Sequence, residues 1–297
     1  MIVITGALGH VGSKLIRELD TDILMIDNMR TEAYPSLFNL KRKHTFIKAD
    51  IFDLDLASIF QGAEAVIHLA AHADPENSYH IPDLVEHINV DGTRKVAEAC
   101  IKANIPMIFV STTSVYGVQE EEVDETCTTL KPQTPYATSK IKAEKLLSEL
   151  EGLHYIICRL GTVFGPTPGM RFHTAVNRFC FQAAIGQPIT VWTTALNQNR
   201  PYLSMSDLTR AIQFILSNKV YTNDIYNVVT VNTTVGDIIG IIKKTIPSLS
   251  INYVDSPIMS QLSYTISSKK FRDLGFEFRG DIAKGINETL ELLCPSV

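Results

Sequence analysis

The sequence predicts an α/β protein built on a doubly wound parallel sheet, with a smaller C-terminal lobe. Three observations predict it. Short, continuous, β-branched apolar runs alternate with helix-period segments through the first half. A glycine-spaced turn, TGALGHVG at 5–12, joins the first run to the first helical segment. After about Gly165 the alternation breaks into shorter, irregular elements.

Strands are expected at Ile2–Thr5, Ile23–Ile26, Thr45–Lys48, Ala65–Leu69, Met107–Val110 and Tyr155–Arg159. Helical spacing fills His10–Leu19, Asp55–Phe60, Leu84–Ala103 and Tyr136–Leu150. Such alternation covers both faces of a parallel sheet and places ligands at the carboxyl ends of its strands, the Rossmann-type arrangement. Beyond the turn-rich GPTPGMRF, a helix is expected at Thr174–Ile185, a strand near Ile189–Trp192 and a loop at TTALNQNRP. A helix from Ser206, a strand at Ile225–Val229 and helices near Val235–Lys244 and Asp281–Leu293 follow. The expected division is 1–165 with about 204–230 as a dinucleotide-binding domain, and 166–203 with 231–297 as a substrate-binding lobe.

Bulk composition narrows the function classes. The chain has 297 residues, 45% apolar, enough for a large core. A net charge of −5 without a basic run gives no footprint for nucleic acid or a membrane surface. No apolar stretch reaches the roughly 20 residues of a membrane span, and MIVITG enters a strand without a leader-like segment. Five scattered cysteines with no CxxC pair suit reduced thiols rather than disulfides or zinc, so the protein is expected to be cytoplasmic. His68 and His72 read as cofactor-wall residues rather than metal ligands, and no metal is expected. EEEVDE at 120–125 reads as a solvated loop; His173 and Trp192 read equally well as pocket lining or core.

Gly6, Gly9 and Gly12 sit between the first strand and the first helix. Gly6 permits the turn, Gly9 the approach of a phosphate, and Gly12 the packing of helix on strand. His10 and Val11, between the last two glycines, open the helix whose N-terminus would hold a pyrophosphate. Asp27 ends the second strand about twenty residues on, where a carboxylate accepts ribose hydroxyls and repels a 2′-phosphate. That favours NAD over NADP, with Arg30 close enough to leave both open. Asn28, Asp50 and Ile51 would flank the adenosine half, Leu69, Ala70 and Ala71 would let the cofactor approach, and Asn89 follows on the next helix.

Ser111–Gly117, STTSVYG, ends the fifth strand with hydroxyls, and PYATSK opens the following helix. Tyr136 and Lys140, four apart, share one face of that helix. Moving a phenol from a pKa of about 10 to near 7 takes about 4 kcal/mol, which one cation at ~4 Å supplies in an effective dielectric near 20. Lys140, helped by a positive nicotinamide, is therefore expected to hold Tyr136 partly ionised as a general base, with Thr112 orienting the substrate oxygen.

These motifs, together with HLAA at 68–71, NVDGT at 89–93, RLGTVFGP at 159–166, GQPITVW at 186–192 and RPYLSMSDL at 200–208, resemble the extended short-chain dehydrogenase/reductase family. Within that family they resemble the NAD-dependent epimerase/dehydratase, nucleotide-sugar branch. The resemblance covers nearly the whole chain. It implies a Thr112–Tyr136–Lys140 triad, a tightly held NAD, and a homodimer formed through the helices at 84–104 and 136–151. It also implies a nucleotide-sugar substrate lying against Thr112, Thr113, Thr162, Thr174 and Arg200, the last at the substrate diphosphate.

Departures from the family pattern separate the subclasses. Dehydratases of the family carry Asp-Glu after the catalytic Thr; here Thr113 and Ser114 stand there. The second diphosphate arginine is missing near Ser256, and Thr174 replaces the usual Asn. The leading reading is a nucleotide-sugar 4-epimerase. The alternatives are an NAD(P)H-dependent reductase of a 4-keto nucleotide sugar and a non-enzymatic NAD-binding regulator. The base and the sugar stay open.

Overall fold

The computed structural model describes residues 1–255 and 263–294. In chain order the strands begin with β1 (Ile2–Thr5), β2 (Ile23–Asp27), β3 (Thr45–Lys48), β4 (Ala65–His68), β5 (Met107–Thr112), β6 (Glu122–Val123) and β7 (Tyr155–Leu160). They continue with β8 (Thr162–Phe164), β9 (Ile189–Trp192), β10 (Asn199–Ser204), β11 (Asp224–Val228), β12 (Val231–Thr234), β13 (Ile251–Val254) and β14 (Thr265–Ile266). The first five helices are α1 (His10–Glu18), α2 (Leu56–Ile59), α3 (Pro82–Glu86), α4 (Gly92–Ala103) and α5 (Pro135–Glu149). Then come α6 (Ala175–Ala184), α7 (Met205–Asn218), α8 (Val235–Thr245), α9 (Lys269–Asp273) and α10 (Ile282–Leu293).

Seven strands form one sheet in the order β11-β7-β5-β4-β1-β2-β3, every pairing parallel. All four residues of β1 are buried, because helices cover both faces and neither needs a polar side. Leu15 and Ile16 of α1 pack with Leu208, Ile212 and Ile215 of α7 on one face. Leu56, Val96, Cys100, Ala143 and Leu147, from α2, α4 and α5, pack on the other. The chain leaves β1 toward β2 on one side and β4 on the other, so a crevice opens above their carboxyl ends. α5 begins where Pro135 occupies its first turn and the Thr134 hydroxyl accepts from Ala137 N–H at 3.0 Å.

The C-terminal lobe has its own core of Phe164, Val176, Phe179, Ile189, Tyr202, Ile238, Ile242 and Ile286. β11 pairs with β7 of the main sheet, Ile225 opposite Ile157. Among the described residues no helix is long and apolar enough to cross a membrane.

Several local expectations need correction. The helix expected at Leu84–Ala103 is α3 and α4, which begin at Pro82 and are joined through a π turn at His87–Asp91. The turn accommodates Asn89, which is wholly buried and faces inward. TTALNQNRP is not all loop, since β10 starts at Asn199 and pairs with β12 and β8. EEEVDE is more than a solvated loop: Glu122–Val123 pair with Thr265–Ile266, and the Glu125 carboxylate accepts from Asn227 N–H. Burial there raises the Glu125 pKa. These strands are too short or too polar to show a period.

Candidate active site

One cavity of about 610 Å³ opens above the carboxyl ends of β1, β2, β4 and β5 and runs toward the lobe. Every candidate site residue except Asn89 lines it. At one end lies the glycine loop. Gly6 has φ +69°, and a Cβ there would stand 2.6 Å from Ala70 N. A Cβ on Gly12 would stand 2.5 Å from Ala7 O, whereas Gly9 meets nothing closer than 3.5 Å. The first intrahelical bond of α1 runs from Ser13 N–H to Gly9 O at 2.8 Å. The N–H groups of His10, Val11 and Gly12, which precede it and line the cavity, therefore have no intrahelical partner. His10 Nε2, also in the wall, is buried with no hydrogen-bond partner.

Asp27 does more than its sequence position suggested. Its Oδ2 accepts from Leu8 N–H at 3.0 Å and its Oδ1 from Met29 N–H at 2.7 Å, so the carboxylate fastens the glycine loop. Asn28 Nδ2 donates to Asp50 Oδ2 at 2.8 Å, linking the ends of β2 and β3. Ile51, Leu69, Ala70 and Ala71 complete an apolar wall. The glycine cradle, the unpartnered N–H groups and the Asp27 carboxylate fit a dinucleotide: pyrophosphate at the α1 N-terminus, ribose at Asp27.

Asn89 supports the wall from behind. Its Oδ1 accepts from His72 N–H at 2.8 Å, and its Nδ2 donates to His72 O at 3.2 Å and Ser139 Oγ at 2.9 Å. His68 is not a wall residue. It is buried beneath the site between Thr5 Oγ1 at 2.7 Å and Thr93 Oγ1 at 3.2 Å, and burial pushes its pKa down to about 3. His72 and His173 do face the cavity, whereas Trp192 does not line it. Among the described residues no cluster of His, Cys, Asp or Glu could hold a metal ion.

Thr112, Tyr136 and Lys140 come together at the middle of the cavity. Burial pushes the Tyr136 phenol up to about 12, opposed by a hydrogen bond with Thr112. Lys140 Nζ donates to Val110 O at 2.8 Å and lies 4.6 Å from the Phe109 ring centroid. Burial lowers the Lys140 pKa to about 8 against the pull of Glu144. The expected partial ionisation of Tyr136 called on both Lys140 and a positive nicotinamide; the protein's own groups leave the phenol protonated. The Lys140 ammonium donates to the Val110 carbonyl, and burial governs the phenol.

Glu144 is a residue that the sequence reading missed. It sits one turn beyond Lys140 and forms a buried ion pair with Arg159 at 2.6 Å, while Ser111 Oγ donates to the same carboxylate. The stripe 136, 140, 144 at helical spacing was the available signal. On the lobe side, Thr113 Oγ1 donates to Leu160 O at 3.2 Å, and Thr162 lines the wall. Thr174 Oγ1 and Arg200 Nε are buried and unpartnered at the same cavity. The position of the missing second arginine, near Ser256, lies outside the described residues.

A parallel sheet with a glycine turn, an acid at the end of β2 and a hydroxyl–tyrosine–lysine group above β5 defines a dinucleotide-dependent enzyme of the extended short-chain dehydrogenase/reductase type. The chain belongs to the NAD-dependent epimerase/dehydratase family, whose model matches residues 2–228. It is 31% identical over 249 residues to the uncharacterized UDP-glucose epimerase YtcB of Bacillus subtilis (strain 168), covering 76% of each chain. It is 29% identical over 303 residues to a putative UDP-glucose 4-epimerase of Methanocaldococcus jannaschii, covering 98% of this chain and 97% of that one. Among solved structures it resembles a UDP-N-acetylglucosamine 4-epimerase from Methanobrevibacter ruminantium M1 in complex with UDP-N-acetylmuramic acid. The TM-score is 0.88 at 26% identity, covering 98% of this chain and 96% of that one.

Proposed function

We propose that this chain is a nucleotide-sugar 4-epimerase in which Tyr136 is the base. One observation carries the choice within the family. Among the described residues lining the cavity, the only carboxylates are Asp27 and Asp50, both at the adenosine end. Loss of water from a sugar needs an acid and a base beside the reacting carbons. Thr113 and Ser114, which line that part of the wall, offer neither. Oxidation and re-reduction at one carbon need only one group that takes a proton and gives it back.

Thr112 hydrogen-bonds the Tyr136 phenol and would hold the same sugar oxygen from which Tyr136 takes the proton. Lys140 fixes a cation beneath the pair through Val110 O. When bound, NAD supplies the hydride acceptor and the additional positive charge that draws the phenol down from about 12. Tyr136 then returns the proton after the keto sugar has presented its other face. Arg200, with Nε buried and free, would meet the substrate diphosphate. Arg30, exposed at the wall beside Asp27, favours one rival, a 4-keto sugar reductase drawing on NADPH.

The decisive experiment incubates the purified protein with a panel of nucleotide sugars and reads the products by mass spectrometry and NMR. The proposal expects a new C4 stereoisomer at unchanged mass without added cofactor. Consumption of only 4-keto sugars, with matching loss of NAD(P)H, would establish the reductase instead. A homodimer through α3–α4 and α5 belongs to the same reading, supported by Leu84, left 37% exposed on α3. Sedimentation velocity at twice the 33.0 kDa chain mass is the expected result.

A further inference from the structure

Residues 167–173 leave the lobe and lie directly across the glycine loop. Thr167 Oγ1 donates to His10 O at 3.1 Å and lies 2.9 Å from His10 Nδ1. Gly169 N–H donates to Ser13 Oγ at 3.0 Å. The fit is close, since a Cβ on Gly169 would stand 2.4 Å from Leu8 O. A turn closed by Met170 N–H to Thr167 O then sends Arg171 and His173 back into the cavity. Arg171 reaches the loop after β4, its Nη2 3.7 Å from Asp74 Oδ2. Asn177 Nδ2 holds the Arg171 carbonyl at 3.2 Å. His10 Nε2 and His173 Nδ1 are both buried in this wall without a partner.

A glycine loop offers dipoles to a pyrophosphate but no full positive charge. Four Lys and Arg side chains line the cavity among the described residues: Arg30, Lys140, Arg171 and Arg200. Lys140 is committed to Val110 O. Arg200 acts on Tyr202 and Tyr264, in the lobe. Arg30 follows β2 at the ribose end. Arg171 is the one whose field reaches His10, at the mouth of α1.

We propose that Thr167–His173 is a clasp over the dinucleotide pyrophosphate, with Arg171 supplying the charge that the glycine loop lacks. The loop and the α1 N-terminus, with His10, hold the phosphates from one side, and Arg171 and His173 close on them from the other. Release of the cofactor then requires the clasp to lift from His10 and Ser13, which keeps the cofactor in place between turnovers. The inference rests on NAD dependence and is indifferent to which sugar reaction follows.

The test measures binding of ADP-ribose, AMP and UDP by calorimetry to the full chain, to Arg171→Ala and to Asp74→Asn. Removing a charged hydrogen-bonding partner predicts about tenfold weaker ADP-ribose binding for Arg171→Ala, with AMP and UDP changed less than twofold. Asp74→Asn frees the guanidinium and is expected to bind ADP-ribose as tightly as the parent or more so. Unchanged ADP-ribose affinity in Arg171→Ala, or an equal loss for UDP, overturns the proposal. So does weakening by Asp74→Asn, which would make the pair a structural latch. Arg171→Lys, which keeps the charge, should recover most of the affinity; failure to do so with an intact thermal transition also counts against the clasp. A protein that binds ADP-ribose in this way yet turns over no nucleotide sugar leaves the clasp standing and removes the epimerase reading.

Discussion

The two walls of the cavity are held in different ways. On the cofactor side, Asp27 is tied to Leu8 and Met29, Asn28 to Asp50, and Asn89 to His72 and Ser139. These bonds run between the protein's own groups and fix the shape of the wall. On the lobe side, Thr174 Oγ1 and Arg200 Nε are buried at the cavity with no partner among the described residues. Each such group costs about 1–3 kcal/mol while unpaired. The exceptions in the cofactor wall, His10 Nε2 and His72 Nδ1, both lie within the field of Arg171, which the lobe supplies. The difference is that one wall ties its polar groups to one another, whereas the other leaves them open; under the proposed function, those open groups are where substrate selectivity would rest.

The largest expected effect separates chemistry from both walls. Tyr136→Phe removes one hydroxyl that contacts Thr112 and leaves the glycine loop, Asp27 and Arg200 in place. Loss of a general base predicts a fall in kcat of about 10³-fold. NAD content and thermal midpoint should stay at parent values. Activity within tenfold of the parent would remove Tyr136 from the role of base.

A smaller effect probes how the cofactor half tolerates a buried cation. Lysine titrates near 10.5 when unfolded, while burial lowers Lys140 to about 8, with Glu144 pulling the other way. Between those pH values the unfolded chain binds a proton that the native one lacks, so native stability rises with pH across the window. Below pH 8 the full penalty is present. Relative to Lys140→Met, the parent should therefore gain about 1–2 kcal/mol in denaturant unfolding between pH 8.5 and 10. His68, beside it, stays neutral throughout, its own pKa pushed down to about 3. A flat difference would mean that Lys140 keeps an ordinary pKa in the native state.

What was legible in the sequence follows the same division. β1 was expected residue for residue, because a strand buried on both faces is a continuous apolar run between sharp turns; β3 matched its expected bounds too, although it is an edge strand with Thr45 and Lys48 exposed. The glycine turn and Asp27 were legible from their order, which only a strand–loop–helix unit imposes. β8 and β12 were not foreseen, since TVF and VNTT carry no period and depend on partners far along the chain. Arg171 stood in a turn-rich run with no pattern around it, and only the fold brings it to Asp74, ninety-seven positions away. Glu144 was within reach of helical spacing, yet its partner Arg159 lies on the strand β7. Local pattern reports what a segment does alone; charge partners and lobe strands are properties of the closed structure.

The smallest effect gives the sharpest form of the comparison, because stability and function should move in opposite directions. Thr174 begins α6 without capping it, and its hydroxyl is buried at the cavity wall with no partner. Thr174→Val keeps the shape and deletes the unpaired group. If that hydroxyl is held for substrate, its removal should stabilise the fold by about 1 kcal/mol, raising Tm by roughly 2 °C in a chain of this size. The same change should raise KM for the nucleotide sugar several-fold, with NAD binding untouched. Asp27→Asn, in the cofactor wall, should do the reverse: the neutral amide is a poorer acceptor for Leu8 and Met29 N–H, so both stability and cofactor affinity should fall together. A Thr174→Val protein that loses stability would show that its hydroxyl serves the fold itself, and the contrast between the two walls would shrink to Arg200.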